Sequence, residues 1–367
     1  MRFISRVSPL AEAVAAAAKI INTNTVMPVL CNVLITAEED VLVVRSTDLE
    51  TTYEQRVPVA VTEAGSITLP AHVLAKYLAQ LEGEDLILNA PADGPVAMLE
   101  CGRSRVELPI IAATEYPELP NGAHEMLRGM EGKSLARALD SVVFSAASDS
   151  ATQVSGLRLD VSQDGVKTTA TDGYRLAQHD GGYREKGFSL VMTAASAETL
   201  ARGFQLSPHV TLGVLGGDNN HLVADDGRVK IHVRLIAKEY PDLDRVIGNP
   251  GIHHIVAPRE GLRLALKRAS MLADGNARSV HVTLSGDGLK LHVESQTHGI
   301  GREEIIVQGD ASRVELHANA AYLAQILDQI EADNVIIRLG DEPGSPIHVI
   351  PDETDASEHY VLMPLRG

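Results

Sequence analysis

The chain lacks several features that mark whole classes of protein. It has no tryptophan, 3% of its residues are aromatic, and its two cysteines, Cys31 and Cys101, are too few for a disulfide-stapled secreted scaffold. No apolar run approaches the roughly 20 residues that span a bilayer. The first residues lack the apolar stretch and cleavage site of a signal peptide. We therefore expect an aliphatic core, two buried and reduced cysteines, no membrane association and a cytoplasmic location.

The chain also lacks the short motifs that carry catalysis. It contains no nucleophile elbow, phosphate-binding loop or His-Glu-x-x-His pattern. The adjacent His253 and His254 have no third ligand nearby, and we expect a plain surface pair in a linker. His232 and His292 fall in the outward phase of predicted strands, and Asp172 precedes a glycine, as turn-stabilising aspartates do. We expect no catalytic residue, no metal site and no cofactor.

What the chain does have is an internal repeat. Residues 115–119, EYPEL, return about 124 residues later as residues 239–243, EYPDL, and a helical stretch beginning at Ala71 recurs from Ala194 and Ala318. This period is too long for a solenoid repeat, which has roughly 20–50 residues. The repeating unit is therefore a whole domain. We expect three tandem domains, at residues 1–123, 124–251 and 252–367.

Each predicted domain combines two helices with alternating strands. Leu157, Leu159 and Val161 alternate with polar residues, and the Asp-Gly pair at 164–165 predicts a tight hairpin after them. Apolar residues at helical spacing predict six helices, at residues 9–22, 71–81, 133–147, 194–203, 258–272 and 318–330. The fold class is therefore α+β, with two helices on antiparallel sheet in each domain.

The net charge of −17 argues against nucleic-acid binding if it is considered alone. The predicted helices, however, carry a small excess of Lys and Arg, so the strands and loops carry all of the negative excess. Arg259, Arg263 and Lys267 form one stripe opposite an apolar helix face. Helices that faced a common axis would line a weakly positive hole that attracts phosphates without gripping them. Solvated charges on ordinary helix faces are the alternative interpretation.

Four segments together resemble a known family. They are residues 170–177 (ATDGYRLA), 47–50 (TDLE), 103–105 (RSR) and the ending at 360–366 (YVLMPLR). They look like the signature segment, hairpins and C-terminal Met-Pro-x-Arg of the bacterial sliding clamp, the beta subunit of DNA polymerase III. The resemblance runs from the first predicted helix to the end of the chain.

The resemblance implies a DNA-clamp fold in three domains, with two protomers closing head to tail into a six-domain ring that has its helices inside. It implies a non-catalytic processivity factor that encircles double-stranded DNA without sequence preference and tethers the DNA polymerase III catalytic subunit. It also implies docking of the clamp loader, other polymerases and repair proteins, in the cytoplasm and on the nucleoid during replication. A three-domain enzyme, or a structural repeat protein without DNA, is the alternative. Primed circular DNA with polymerase and loader separates them, because only a clamp lengthens the products.

The resemblance also carries three sets of site residues onto this chain. The implied pocket for partner peptides is lined by Val154, Thr171, Gly173, Tyr174, Arg175, Leu176, Pro241, Arg245, Val246, Tyr322, Val361, Met363, Pro364, Leu365 and Arg366. The implied DNA contacts are Asn24, His72, Arg137, Gln153, Arg202, Arg263 and Lys267. The implied dimer interface joins Arg103, Arg105, Val106 and Leu108 of one chain to Met271, Leu272, Glu303 and Glu304 of the other.

The chain departs from the family's pattern at four places. The loop at residues 22–25 carries no charge, and His72 stands near where a basic residue is frequent. Both departures concern DNA contacts. Tyr174 stands where His is common, and Pro346 replaces a small polar residue at the pocket edge. We expect these two to retune peptide preference.

Overall fold

A computed structural model describes residues 1–83, 85–91, 94–120, 124–147, 154–184, 187–215, 220–248, 250–275, 278–285, 288–309, 313–340, 344–354 and 356–365. These residues fall into two compact units. Unit 1 comprises Met1–Ala136 and Thr199–Ile236, and unit 2 comprises Arg137–Glu198 and Ala237–Gly367.

Helices and strands follow one another in three similar series. The first series is β1 (Arg2–Arg6), α1 (Val7–Ala18), β2 (Asn32–Glu38), β3 (Val41–Thr47), β4 (Thr51–Pro58), β5 (Ala60–Glu63), β6 (Gly65–Pro70), α2 (Ala71–Leu78), β7 (Asp85–Asn89), β8 (Val96–Cys101), β9 (Ser104–Pro109) and β10 (Ile111–Ala112). The second is β11 (His124–Met130), α3 (Gly132–Val143), β12 (Leu157–Val161), β13 (Val166–Thr171), β14 (Arg175–Gly181), β15 (Phe188–Met192), α4 (Ala194–Phe204), β16 (Val210–Leu215), β17 (His221–Asp225) and β18 (Val229–Arg234). The third is α5 (Asp244–Ile247), β19 (His253–Pro258), α6 (Arg259–Leu272), β20 (Ser279–Ser285), β21 (Gly288–Ser295), β22 (Gly299–Ile305), β23 (Gln308–Gly309), β24 (Val314–Asn319), α7 (Ala320–Gln329), β25 (Asn334–Leu339), β26 (Ile347–Pro351) and β27 (Glu358–Leu362).

Unit 1 contains two antiparallel sheets. One has five strands in the order β5-β1-β7-β8-β9, and the other has nine in the order β10-β6-β2-β3-β4-β18-β17-β16-β11. The nine-stranded sheet is continuous because β4 pairs with β18, with Thr52 opposite His232. Helices α1 and α2 pack against each other. The inner face of α1 is apolar at helical spacing, with Leu10, Val14 and Ala17 buried.

Unit 2 repeats this plan with a nine-stranded and a four-stranded sheet. Their orders are β15-β12-β13-β14-β27-β26-β25-β19-β23 and β22-β21-β20-β24. Here β14 pairs with β27, with Leu176 opposite Val361, to make the long sheet continuous. Helices α6 and α7 pack together. The predicted apolar stripe of α6, which is Leu262, Ala265, Leu266 and Ala269, is buried.

The α+β class, the aliphatic core and the alternating strands are confirmed. Leu157, Leu159 and Val161 are buried on β12, and β12 and β13 pair as the predicted hairpin. Each nine-stranded sheet joins strands from two predicted domains, so the compact units follow the sheets and not the sequence repeat. The three domains with boundaries at 123 and 251 therefore stay a prediction.

Several local expectations are wrong. His232 lies on the face of β18 opposite Ile231 and Val233, as its outward phase predicts, but it is 8% exposed and so is buried there and not open to solvent. His253 and His254 lie on β19, paired with β25, and not in a linker. The helix predicted at 258–272 begins one residue later, at Arg259, because Pro258 ends β19 and is the N-cap of α6. Cys101 is buried as expected, but Cys31 is only half-buried.

The residues that the structure describes contain neither a candidate membrane span nor a candidate metal site. In this part of the chain no helix is long and apolar enough to cross a membrane. Among the same residues, no group of three or more His, Cys, Asp and Glu side chains is placed to hold a metal ion.

Candidate functional site

The turn between β13 and β14 forms the centre of the candidate site. The Thr171 hydroxyl donates to the Arg175 carbonyl at 2.6 Å, and the Gly173 N–H donates to the Thr171 hydroxyl at 3.1 Å. The Asp172 carboxylate accepts from the Tyr174 and Arg175 N–H groups, both at 3.0 Å. Gly173 has a φ of +87°, which is the reason a glycine stands there. Asp172 is thus the turn-stabilising residue that the sequence predicted.

The Arg175 guanidinium ties this turn to two other parts of unit 2, the end of α3 and helix α7. Its Nε donates to Asp172 at 3.0 Å, one terminal nitrogen donates to the Phe144 carbonyl at 2.7 Å, and the other donates to the Gln325 side chain. Its Cζ lies 4.3 Å from the ring centroid of Tyr322 and 5.0 Å from that of Phe144. The Arg175 side chain is 10% exposed. Because its donors face its own chain, Arg175 holds the site together and is not a free hydrogen-bond donor for a ligand.

The last strand of the chain forms the second side of the site. On it, Val361 and Leu362 are buried opposite Leu176 and Arg175 of β14. The backbone beyond it stays attached, since the Met363 N–H donates to the Tyr174 carbonyl at 2.8 Å. Two residues later the Leu365 N–H donates to the His317 carbonyl at 2.8 Å. The C-terminal segment is therefore fixed beside the turn through its backbone, which leaves its side chains to form surface.

The repeated EYP segment supplies the third side. The Tyr240 hydroxyl accepts from the Thr171 N–H at 3.2 Å and lies 3.5 Å from the Gly156 carbonyl. Burial raises the pKa of Tyr240 to about 12, so it keeps its proton throughout the neutral range. Below it, Lys167 pairs with Asp244 at the start of α5 at 2.8 Å, and this hydrogen bond lowers the pKa of Asp244. These contacts hold the Pro241–Val246 stretch against the β13–β14 turn.

Around these fixed contacts lies an unusual amount of exposed apolar surface. Tyr174 is 64% exposed, Val246 40% and Met363 39%. Val154, Pro241 and Tyr322 are half-buried. Exposed apolar surface beside ordered polar groups is typical of a site for a short peptide. Of the predicted pocket residues, Arg366 and the side chain of Arg245 lie outside the described part of the chain.

The sequence matches three family models in order along the chain. They are the DNA polymerase III beta subunit N-terminal domain over residues 1–120, the central domain over 129–242 and the C-terminal domain over 245–366. The chain belongs to the DNA polymerase III beta subunit family. Similar curated proteins include the beta sliding clamp of Pseudomonas putida, 26% identical over 371 residues with both chains fully covered, and that of Proteus mirabilis, 28% identical with 93% of each chain covered. The crystal structure of a DNA polymerase sliding clamp from Pseudomonas aeruginosa has a TM-score of 0.90 at 26% identity and full coverage of both chains.

Membership of the beta subunit family confirms the three-domain clamp fold, the function and the non-catalytic role. A sliding clamp encircles DNA and works with DNA polymerase as a processivity factor. The site in unit 2 must therefore be explained by binding, and not by bond-making chemistry.

In this family member, the predicted DNA-contacting cations of unit 2 are paired within the chain. Arg137 contacts Glu358 at 2.7 Å and Glu331 at 3.1 Å. Burial alone would lower the pKa of Arg137, but Glu358 and Glu331 raise it. Arg263 and Lys267 share the Asp328 carboxylate, at 3.0 and 2.9 Å. A phosphate at these positions would compete with a carboxylate that is already in place.

The remaining predicted DNA contacts are placed less completely. In unit 1, Arg202 is exposed on α4, His72 is half-buried on α2, and Asn24 lies in the loop after α1, where its N–H donates to Asn22. Gln153 lies outside the described residues.

The predicted interface residues lie on or beside β9, α6 and β22. Arg103 is in the turn before β9, while Arg105 and Met271 are exposed, the latter at 74%. Leu108 is 5% exposed and packs inside unit 1, so it offers little surface to a partner. Glu303 is paired with Arg268 of its own chain at 2.6 Å. The other predicted residues are Val106 and Leu272, which are half-buried, and Glu304, which is exposed.

Phe144 and Gln325 were missed by the sequence reasoning. Both contact Arg175, yet they lie on or after helices far from it along the chain. One signal was present. The chain has only 4 Phe and 8 Tyr, and Phe144, Tyr322 and Tyr360 are three of them that gather around this site.

Proposed function

We propose that the chain works as a closed homodimeric ring in which β9 of one protomer pairs with β22 of the other. This proposal rests on the positions of two edge strands. In the described part of the chain, β9 is an edge strand of a five-stranded sheet and β22 is an edge strand of a four-stranded sheet. Joining them gives a nine-stranded sheet, the size of the two sheets already present. Edge strands expose unpaired backbone groups and favour pairing with another chain.

The side chains near these edges support the same pairing. Arg103 and Arg105 are exposed at the end of unit 1 that carries β9, and Glu303 and Glu304 lie on β22 in unit 2. The opposite signs favour a head-to-tail contact and fix its register more than its strength. The exposed Met271 offers apolar surface beside them. A head-to-tail contact gives a closed ring only if the rotation closes, which two three-domain chains satisfy.

The ring would hold double-stranded DNA by topology and not by tight contacts. Arg137, Arg263 and Lys267 each face carboxylates of their own chain, which weakens any phosphate contact. Weak contacts without sequence preference allow sliding, because few counterions are released at each position. The DNA polymerase III catalytic subunit, the clamp loader, and other polymerases and repair proteins would dock at the unit 2 site and exclude one another. The place of action would be the cytoplasm and, during replication, the nucleoid.

Retention on DNA circles tests the ring. Clamps loaded onto a nicked circle should stay bound through gel filtration, and cutting the circle once should release them. A blocked end on the cut DNA serves as the control, since a sliding ring would then be retained. Equal retention on closed circles and on cut DNA with free ends would contradict the topological mechanism.

A further inference from the structure

Unit 1 contains a groove to which no role has yet been given. Its volume is about 310 Å³. One wall is the first EYP segment, with Tyr116, Pro117 and Leu119, and the floor includes Thr52 and His232 on the paired strands β4 and β18. The groove is therefore built from the same elements as the site in unit 2.

The turn beside this groove has the same hydrogen bonds as the unit 2 turn. The Thr47 hydroxyl donates to the Thr51 carbonyl at 3.0 Å, and the Leu49 N–H donates to the Thr47 hydroxyl at 3.0 Å. The Asp48 carboxylate accepts from the Glu50 and Thr51 N–H groups at 3.0 and 2.7 Å. Leu49 even has the positive φ, +76°, that Gly173 has in unit 2. The two sites are structural repeats of one another.

The repeat differs at the floor. In unit 2 the turn is followed by the cross-strand pair Leu176 and Val361, and both residues are buried and apolar. In unit 1 the pair at the same distance from the turn is Thr52 and His232, which are also buried. An apolar floor in one repeat is thus a polar floor in the other.

The polar floor is electrically balanced. His232 is 8% exposed, and its Nδ1 is buried without a hydrogen-bond partner. Burial, with a smaller contribution from Lys230, lowers the pKa of His232 to about 4, so the ring is neutral at pH 7. Arg45 and Glu54, which also line the groove, neutralise each other at 2.7 Å. The groove therefore has no excess charge of either sign to repay a charged ligand for the water it loses, which favours a neutral polar ligand.

A carboxamide is the neutral group that best fits this floor. The unpartnered Nδ1 costs about 1–3 kcal/mol, and a ligand recovers this cost when the His232 ring turns Nδ1 toward the groove. A carboxamide both donates and accepts, so it satisfies either tautomer of His232. Its second group can reach Arg45 or Glu54, since these two line the same groove. The Tyr116, Pro117 and Leu119 wall gives apolar contact for the chain that carries the carboxamide.

We propose that the groove of unit 1 binds an extended peptide segment through a Gln or Asn side chain placed against His232. The peptide class of ligand rests on the proposed role of the unit 2 site. The position and polarity of the groove are independent of that proposed role.

The test is a histidine-detected NMR titration of the full chain. The chain has 14 histidines, so the spectrum of the histidine ring carbons contains several signals. The signal that disappears in His232→Val is assigned to His232. The probes are acetyl-Gln-Leu and acetyl-Glu-Leu as dimethylamides, so that the Gln side chain is the one primary carboxamide in either probe. We expect a saturable shift of the His232 signal with the Gln probe and at least fivefold weaker binding of the Glu probe, because its carboxylate loses water in a groove that has no excess of positive charge.

Two variants make the outcome decisive. The variant His232→Val copies the apolar floor of unit 2. In it, titrations followed by the methyl signal of Leu34, which lines the groove, should show equal affinity for the Gln and Glu probes. In Met363→Ala the unit 1 shifts should persist, so failure at one site is distinguishable from failure at the other. No shift at His232 with millimolar Gln probe, or equal shifts with both probes, would overturn the proposal.

Discussion

Replacing Arg175 by alanine should destabilise unit 2 more than any surface change of equal size. The guanidinium is 10% exposed and makes hydrogen bonds to Asp172, Gln325 and the Phe144 carbonyl. Removing it takes a charged donor from each of these three acceptors. Breaking a buried ion pair of this kind costs about 3–5 kcal/mol, and we expect the lower end because Asp172 keeps two backbone donors.

Urea unfolding followed by circular dichroism measures this loss, since the chain has no tryptophan for fluorescence. Arg268→Ala is the control, because Arg268 makes a bidentate contact with Glu303, at 2.8 and 2.6 Å, but is 56% exposed. It should change stability little. The loss of stability for Arg175→Lys should lie between the losses for Arg175→Ala and Arg268→Ala, because an ammonium keeps the charge but cannot reach all three acceptors. An Arg175→Ala protein as stable as Arg268→Ala would refute the organising role of Arg175.

Three further predictions concern the other contacts. Tyr240→Phe leaves the Thr171 N–H without its acceptor and should cost about 1–2 kcal/mol in the same urea assay, whereas an unchanged midpoint would contradict this contact. Burial lowers the pKa of His232 from 6.5 to about 4, so between these values the unfolded chain binds a proton that the folded chain does not. Stability should therefore fall by up to about 3 kcal/mol as pH falls through this window, and His232→Val, measured by urea unfolding at pH 7 and pH 5, should show a smaller fall. Arg103→Glu with Arg105→Glu should shift the dimer toward monomer in light scattering at micromolar concentration, and a mass near one chain for the unaltered protein would contradict the dimer itself.

Much of the fold was predictable because its signals are local. The stripe on α6 and the alternation on β12 each lie within one segment, and burial of these residues follows from their spacing. The predicted ends of the helices were less accurate than their positions. The first helix ends at Ala18 and not near residue 22, because the chain turns there through Lys19 without a sequence signal such as glycine.

The features that join segments were not predictable from local pattern. His232 looked like an outward strand residue because alternation fixes the phase of a strand and not which faces are covered. Tyr116 and Pro117, far away along the chain, line a groove over that face of the strand, and no local pattern predicts this. The same reason explains the role of Arg175. The resemblance implied only that Arg175 lines the pocket, and no local pattern indicated that Phe144 and Gln325 would occupy its terminal nitrogens.

Docking of partners at the unit 2 site can be measured by peptide calorimetry. The ligand is a short peptide that contains Gln-Leu, titrated into the full chain and into a chain that lacks residues 363–367. Removing this segment deletes Met363 and the contacts of the Met363 and Leu365 N–H groups, while β9 and β22 stay intact. We expect the truncated protein to remain a dimer and to show no binding heat, and Met363→Ala to bind the peptide about tenfold more weakly. Undiminished binding by the truncated dimer would place the docking site elsewhere.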